Sequence, residues 1–188
     1  ATSGSTGSPK MAVHSLENHL ANAEASNRNI VLAPGDRWLL SLPLYHVAGL
    51  GTVFRCILAG ATVAVPPPGE SLEASITVLN ATHVSLVSTQ LQRLLETPAG
   101  RQALSRLKAV LLGGSAVPER LLERAAAAGV PLHTTYGLTE AASQVTTTPS
   151  GADLDTLKTS GRPLTPGTVR VADDAEIQVQ GPMLFLGY

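Results

Sequence analysis

Three short stretches concentrate the residue types that handle phosphate groups and flat rings. Thr2-Ser3-Gly4-Ser5-Thr6-Gly7-Ser8-Pro9-Lys10 packs hydroxyl side chains, two glycines and a lysine into nine residues. Backbone N–H groups, hydroxyl donors and one positive charge are what a polyphosphate needs. The stretch lacks the Gly-Lys-Ser/Thr ending of a Walker A loop. In Thr134-Thr135-Tyr136-Gly137-Leu138-Thr139-Glu140 the tyrosine face can stack on a base and a hydroxyl can reach a phosphoryl oxygen. The carboxylate that follows suits Mg2+, which takes hard oxygen ligands beside phosphates. Gly113-Gly114-Ser115-Ala116-Val117-Pro118 offers side-chain-free backbone against which a ring can lie, its edge read by N–H and C=O groups. Each also has a bland reading: a flexible linker, a turn with a helix cap, and a plain strand-end turn.

These motifs need a frame, and the intervening sequence supplies one. Trp38–Leu42, Ala61–Val65, His83–Val87, Leu107–Leu112 and Val130–His133 are apolar runs of strand length. Between them, Ser15 can cap a helix to about Val31. Gly49–Leu58 reads as an apolar helix closed by Gly60, and Ser71 can cap a helix through Leu79. Ser88 can cap another through Leu95, and Pro118 stands just inside an Ala-rich helix ending at Gly129. Such alternation predicts an α/β fold with a largely parallel sheet flanked by helices, where ligands gather beyond the carboxyl ends of the strands. Residues 149–167 show no helical period, and Val169–Val171 with Glu176–Val179 read as short antiparallel strands. The expected division is a nucleotide- and acyl-binding part over 1–148 and the start of a smaller β-rich part over 149–188.

Composition narrows the function. The 188 residues are 44% hydrophobic and 14% charged, enough for a sizeable core, and a formal net charge of −1 lacks the basic footprint of a nucleic-acid binder. No apolar run approaches the roughly 18 to 20 residues of a membrane span, and no leader pattern opens the chain, so a cytoplasmic protein is expected. The single cysteine, Cys56, excludes an internal disulfide and reads as core. His14, His19, His83 and His133 have no metal-binding spacing. Neither end looks like a natural terminus, and the chain reads as an internal piece of a longer protein.

In this order, the three motifs resemble the adenylate-forming superfamily of acyl-CoA synthetases, adenylation domains and luciferases. Pro43-Leu44-Tyr45-His46-Val47-Ala48-Gly49, Gly161-Arg162-Pro163-Leu164 and Gly181-Pro182-Met183-Leu184-Phe185-Leu186-Gly187-Tyr188 are similar to further motifs of that family. Thr82–Leu95 and Leu107–Gly114 resemble the o-succinylbenzoate-CoA ligase branch, which serves menaquinone synthesis. The resemblance implies roles residue by residue. Thr2, Ser3, Gly4, Ser5, Thr6, Gly7 and Lys10 would hold the ATP β- and γ-phosphates, Thr139 the α-phosphate, and Glu140 the Mg2+. Gly114, Ser115, Ala116, Tyr136 and Gly137 would form the adenine pocket. His46 would line the acyl pocket near the coenzyme A tunnel, or else be an ordinary strand-end histidine, and Ser88, Thr89 and Gln90 would face the acid. Lys10, His46, Thr139 and Glu140 would carry the chemistry.

The implied reaction joins a small carboxylic acid, ATP and coenzyme A through an acyl-adenylate. A homo-oligomer is compatible with this. The family's ribose-binding Asp, its hinge and its C-terminal lysine-bearing domain would lie outside this chain, which alone should not turn over. Another acyl- or aryl-CoA synthetase, an adenylation domain, or a non-catalytic nucleotide-binding remnant remain as alternatives.

Overall fold

A computed structural model describes residues 10–188. The fold is α/β, its main sheet having seven strands in the order β2-β1-β3-β4-β5-β6-β7. Strands β1 (Arg37–Leu39), β2 (Thr62–Ala64), β3 (His83–Leu86), β4 (Ala109–Leu112) and β5 (Leu132–Leu138) pair in parallel. Strands β6 (Ser143–Thr147) and β7 (Arg162–Pro163) then add antiparallel beside β5. Strands β8 (Thr168–Val171) and β9 (Ile177–Gln180) form a separate antiparallel hairpin. Because β2 and β3 flank β1 on opposite sides, the strand order reverses between β1 and β3, where a crevice opens at the strands' carboxyl ends.

Helices pack on the sheet where hydrocarbon faces require cover. Ser15 does cap α1 (Leu16–Asn29): its hydroxyl accepts from the Asn18 N–H while the Asn18 side chain accepts from the Ser15 N–H. Helix α2 (Val47–Ala59) ends at Gly60, whose φ of 64° is the left-handed conformation that favours glycine. Ser71 caps α3 (Leu72–Val78) as expected. Helix α4 (Ser88–Glu96) differs from the sequence reading, because Val87 holds the cap position and Ser88 is the first helical residue. Gln90 Oε1 accepts the Val87 N–H at 3.0 Å, the half of a capping box that needs no polar cap side chain. Pro118 is the cap of α6 (Glu119–Ala127) and not its first helical residue, so that helix begins one residue later than expected.

Several elements are not legible from periodicity. They include α5 (Pro98–Ser105), the polar strand β6, and, within the irregular stretch 149–167, the two-residue β7 and the one-turn α7 (Leu154–Leu157), capped by Asp153. The main core joins Leu39, Val84, Leu86, Val110, Leu112 and Leu132 to apolar faces of α4, α5 and α6. A second cluster packs Trp38 with Ile30, Cys56 and Leu111 on the other side. Cys56 is buried there, and burial pushes its thiol up to about 11, so it is inert core.

Candidate active site

At the strand-order reversal lies a cleft of about 440 Å³. Its walls come from the β1–α2 loop (Leu42, Pro43, His46), the end of β3 (Ser85 to Val87), Gly113 and Gly114 after β4, and Thr135, Gly137 and Thr139. Gly114 takes φ 90°, a turn that would strain any side chain. At Gly137 a Cβ would stand 2.1 Å from the Ser143 carbonyl oxygen, so only glycine lets β6 approach here, where the β5–β6 register shifts.

Deep in the cleft is a residue that motif reading missed. Arg55 is 1% exposed, on a helix that is otherwise almost wholly apolar. Its guanidinium stacks 5.0 Å from the centre of the Trp38 ring, and Nη2 donates to Ser143 Oγ at 3.3 Å. Nε and Nη1 have no protein partner, and among the described residues no carboxylate pairs with it. Burial lowers its pKa to about 10, which still leaves it protonated at neutral pH. A Cβ at position 51 would come within 3.2 Å of Nη2, so Gly51 leaves it room. The signal available in the sequence was one arginine in the middle of a thirteen-residue apolar helix; a buried charge without a partner is costly enough to suggest a use.

The loop beyond β5 is held from behind by α1. Asn18, Asn22 and Asn29 fall on one helix face by their spacing. Asn22 Nδ2 donates to the carbonyls of Ala141 (3.0 Å) and Gln144 (2.7 Å), Asn18 Nδ2 to that of Pro182 (2.8 Å), and Asn29 Nδ2 to that of Thr148 (3.0 Å). This clamp keeps Ala142 at φ 57°, a conformation non-glycine residues seldom adopt. It fixes the 3-10 turn Thr139–Ala141 that presents Thr139 and Glu140.

The structure divides the expected site residues into groups. Thr2, Ser3, Gly4, Ser5, Thr6 and Gly7 lie outside the described residues. His46, Gly114, Gly137 and Thr139 meet at the cleft. His46 is the exposed cap residue of α2, its ring 4.6 Å from that of Tyr45. Ser115 and Ala116 are exposed just beyond the cleft, on the loop to α6. Tyr136, between the cleft residues Thr135 and Gly137, packs beside Ala141, Val145 and Met183. Lys10 and Glu140 converge on one side chain: Lys10 Nζ stands 4.9 Å from the centre of the Tyr188 ring, and the Tyr188 hydroxyl donates to Glu140 Oε1.

Ser88, Thr89 and Gln90 do not line the cleft. Gln90 is occupied with the Val87 N–H and, through Nε2, the Ser41 carbonyl at 3.3 Å. Beside His46, Thr135 and Thr139, the polar side chains of the cleft are Arg55, Ser85, Ser143 and Gln144. Of the other histidines, His83 and His133 are buried and bonded, His83 to Thr82 Oγ1 and the Val31 carbonyl, His133 to the Thr148 carbonyl. Burial lowers the pKa of both. His14 and His19 sit 5.0 Å apart beside a smaller pocket that also touches His46 and Thr139.

Glu140 suits a magnesium ion by its chemistry: a half-buried carboxylate beside the Thr139 hydroxyl is the kind of donor that shares Mg2+ with phosphate oxygens. The family model described as AMP-binding enzyme matches residues 2–188. The chain belongs to that family.

Among its relatives, the 2-succinylbenzoate–CoA ligase of Escherichia coli is 43% identical over 189 residues, covering 100% of this chain and 39% of that protein. The Salmonella typhimurium protein of the same name is 42% identical, with 100% and 38% covered. The Bacillus subtilis o-succinylbenzoate coenzyme A synthetase (MenE) in complex with ATP and magnesium superposes with a TM-score of 0.86 at 32% identity, over 100% of this chain and 41% of that one. The chain thus spans about two fifths of the length of these relatives.

Proposed function

We propose that the full-length protein is an ATP-dependent acid–CoA ligase whose acid is o-succinylbenzoate, acting in the cytoplasm in menaquinone synthesis. The observation that carries the choice of acid is Arg55. A fatty-acid or benzoate site asks only for hydrocarbon around the part of the acid distant from the reacting carboxylate. A cleft whose inner end holds a desolvated, unpaired guanidinium asks for an anion there. o-Succinylbenzoate carries a second carboxylate, and Leu42, Val47, Leu86 and Leu138 near Arg55 are apolar cover for its ring. The names of the relatives point to the same acid.

The acid carboxylate would attack the α-phosphorus of ATP, releasing pyrophosphate, and the coenzyme A thiol would then displace AMP to give the thioester. This chain contributes charge neutralisation and alignment. Lys10 and the hydroxyl-rich sequence before it would bind the β- and γ-phosphates, and Thr139 the α-phosphate. Glu140 would hold magnesium, which when bound draws charge from the phosphate oxygens. Gly113 and Gly114 leave backbone open to the adenine, with Ser115, Ala116, Tyr136 and Gly137 about it. His46 stands at the mouth, between the two pockets.

The test is competition. With o-succinylbenzoate, benzoate and hexanoate at equal concentration, the full-length enzyme should form mainly the o-succinylbenzoyl thioester. Arg55→Met should lower kcat/KM for o-succinylbenzoate on the order of a hundredfold and leave that for benzoate nearly unchanged, because only the first acid leaves a buried partner unpaired. A dominant benzoyl or hexanoyl thioester from the wild-type enzyme would rule out this acid.

A further inference from the structure

The segment Gly181–Tyr188 runs outside both sheets, and its pins go to α1, to the turn that carries Glu140 and to the stretch just after Lys10. Asn18 on α1 takes the Pro182 carbonyl, and Met183 is buried against Ala141 and Val145. The Phe185 N–H donates to the carbonyl of Glu140 itself at 2.8 Å. Leu186 N–H donates to the Val13 carbonyl (2.8 Å) and Val13 N–H to the Gly187 carbonyl (2.9 Å), three residues beyond Lys10. Such anchoring fixes Tyr188, whose ring is packed edge-on by Phe185 at 4.9 Å although the residue is 61% exposed.

Tyr188 then meets two opposite charges with two different parts of one side chain. The hydroxyl donates to Glu140 Oε1, and the ring face receives the Lys10 ammonium. Without that ring, a lysine and a glutamate this near would be free to close into an ion pair. Each would neutralise the charge the other must offer to nucleotide or cation, and the pair would have to be broken at every binding event. No such pair exists among the described residues.

We propose that Tyr188 is a positioning residue of the nucleotide site, a spacer that keeps Lys10 and Glu140 apart and oriented for the phosphates and the magnesium ion. This rests on the nucleotide reading given above. The two halves of the side chain serve different partners, so they can be removed one at a time. Tyr188→Phe keeps the ring face for Lys10 and deletes the bond to Glu140. Tyr188→Leu deletes both.

The test uses the full-length protein and calorimetric titration with ATP, with and without magnesium, alongside acid-dependent pyrophosphate exchange. Tyr188→Phe should weaken the magnesium-dependent part of ATP binding three- to tenfold and raise the magnesium concentration for half-maximal exchange by a similar factor. Metal-free ATP binding, KM for the acid and Tm should be unchanged. Tyr188→Leu should in addition weaken metal-free ATP binding. A phenylalanine variant with wild-type magnesium dependence would overturn the proposal. So would a leucine variant that shifts magnesium, ATP and acid parameters together with a lowered Tm, the mark of a merely structural tyrosine. A wild-type protein that binds no ATP would instead remove the nucleotide reading, and the proposal with it.

Discussion

Strands β4 and β6 are both buried at every position, and they achieve it by opposite means. Ala109-Val110-Leu111-Leu112 fills the space between helix layers with hydrocarbon. Ser143-Gln144-Val145-Thr146-Thr147 brings four polar side chains inside and satisfies most of them locally. Thr135 Oγ1 donates to the Thr146 carbonyl and Thr146 Oγ1 to the Ser160 carbonyl, both at 2.6 Å, and Gln144 Nε2 donates to Thr147 Oγ1 at 2.9 Å. Hydrocarbon burial is non-directional and tolerates small displacements, whereas a hydrogen-bonded interior fixes backbone position and penalises any orphaned group. The cleft lies along the boundary between these regimes. The apolar half holds the sheet together, and the polar half sets the loop carrying Thr139 and Glu140.

The largest expected effect separates chemistry from stability within the polar half. Glu140→Gln keeps size and hydrogen bonding but removes the charge a hard cation needs. In the full-length enzyme the adenylation rate, followed by pyrophosphate exchange, should fall on the order of a hundredfold or more, while Tm stays close to wild type. A variant that instead melts far below wild type would show that the carboxylate serves the turn rather than the cation.

The apolar half should show the reverse. Leu112 is fully buried in the main core, and Leu112→Ala should cost about 2 to 5 kcal/mol of stability in denaturant titration. Below the unfolding transition its KM for ATP and for the acid should hardly move. Thr147→Val tests the polar half without touching a proposed ligand contact. It removes the acceptor of Gln144 Nε2 in a residue whose Oε1 already has no protein partner, at a cost of about 1 to 3 kcal/mol. Because Gln144 lines the cleft, this variant should also raise KM for the acid, which Leu112→Ala should not.

The same contrast explains what could be read from the sequence. Apolar runs announce strands β1 to β4, and cap residues such as Ser15 and Ser71 and the terminal Gly60 announce helix ends, because each of these signals is local. Strand β6 was invisible because Ser-Gln-Val-Thr-Thr looks solvent-facing until its hydrogen-bond partners on β5 and at Ser160 are known. The apolar run marks a strand only as far as His133, but β5 runs on through Leu138, since β6 pairs with its far end. Gly114, Gly137, Thr139 and His46 could be placed at one cleft because strand ends converge in such a sheet. Arg55 could not, since nothing in a helical sequence says which face looks into a cavity.

Gln90 is where sequence and structure part most instructively, and it carries the smallest expected effect. A carboxamide at the end of an apolar strand reads as a donor for a substrate carboxylate. In the fold it closes the start of α4, accepting from the Val87 N–H and reaching the Ser41 carbonyl. That bond to Ser41 ties the β1–α2 loop to α4, and His46 lies farther along the same loop. Gln90→Ala should therefore cost about 1 kcal/mol, as loss of a cap does, and kcat/KM for o-succinylbenzoate should fall no more than kcat/KM for benzoate, since no contact to the second carboxylate is lost. Arg55→Met should show the opposite pattern, a selective loss for the diacid with little loss of stability, because exchanging a buried charge for hydrocarbon of similar volume is often neutral or stabilising. Measured side by side, the two variants decide which group reads the distal carboxylate. A selective loss in Gln90→Ala, with Arg55→Met unselective, would move that role from α2 to the start of α4.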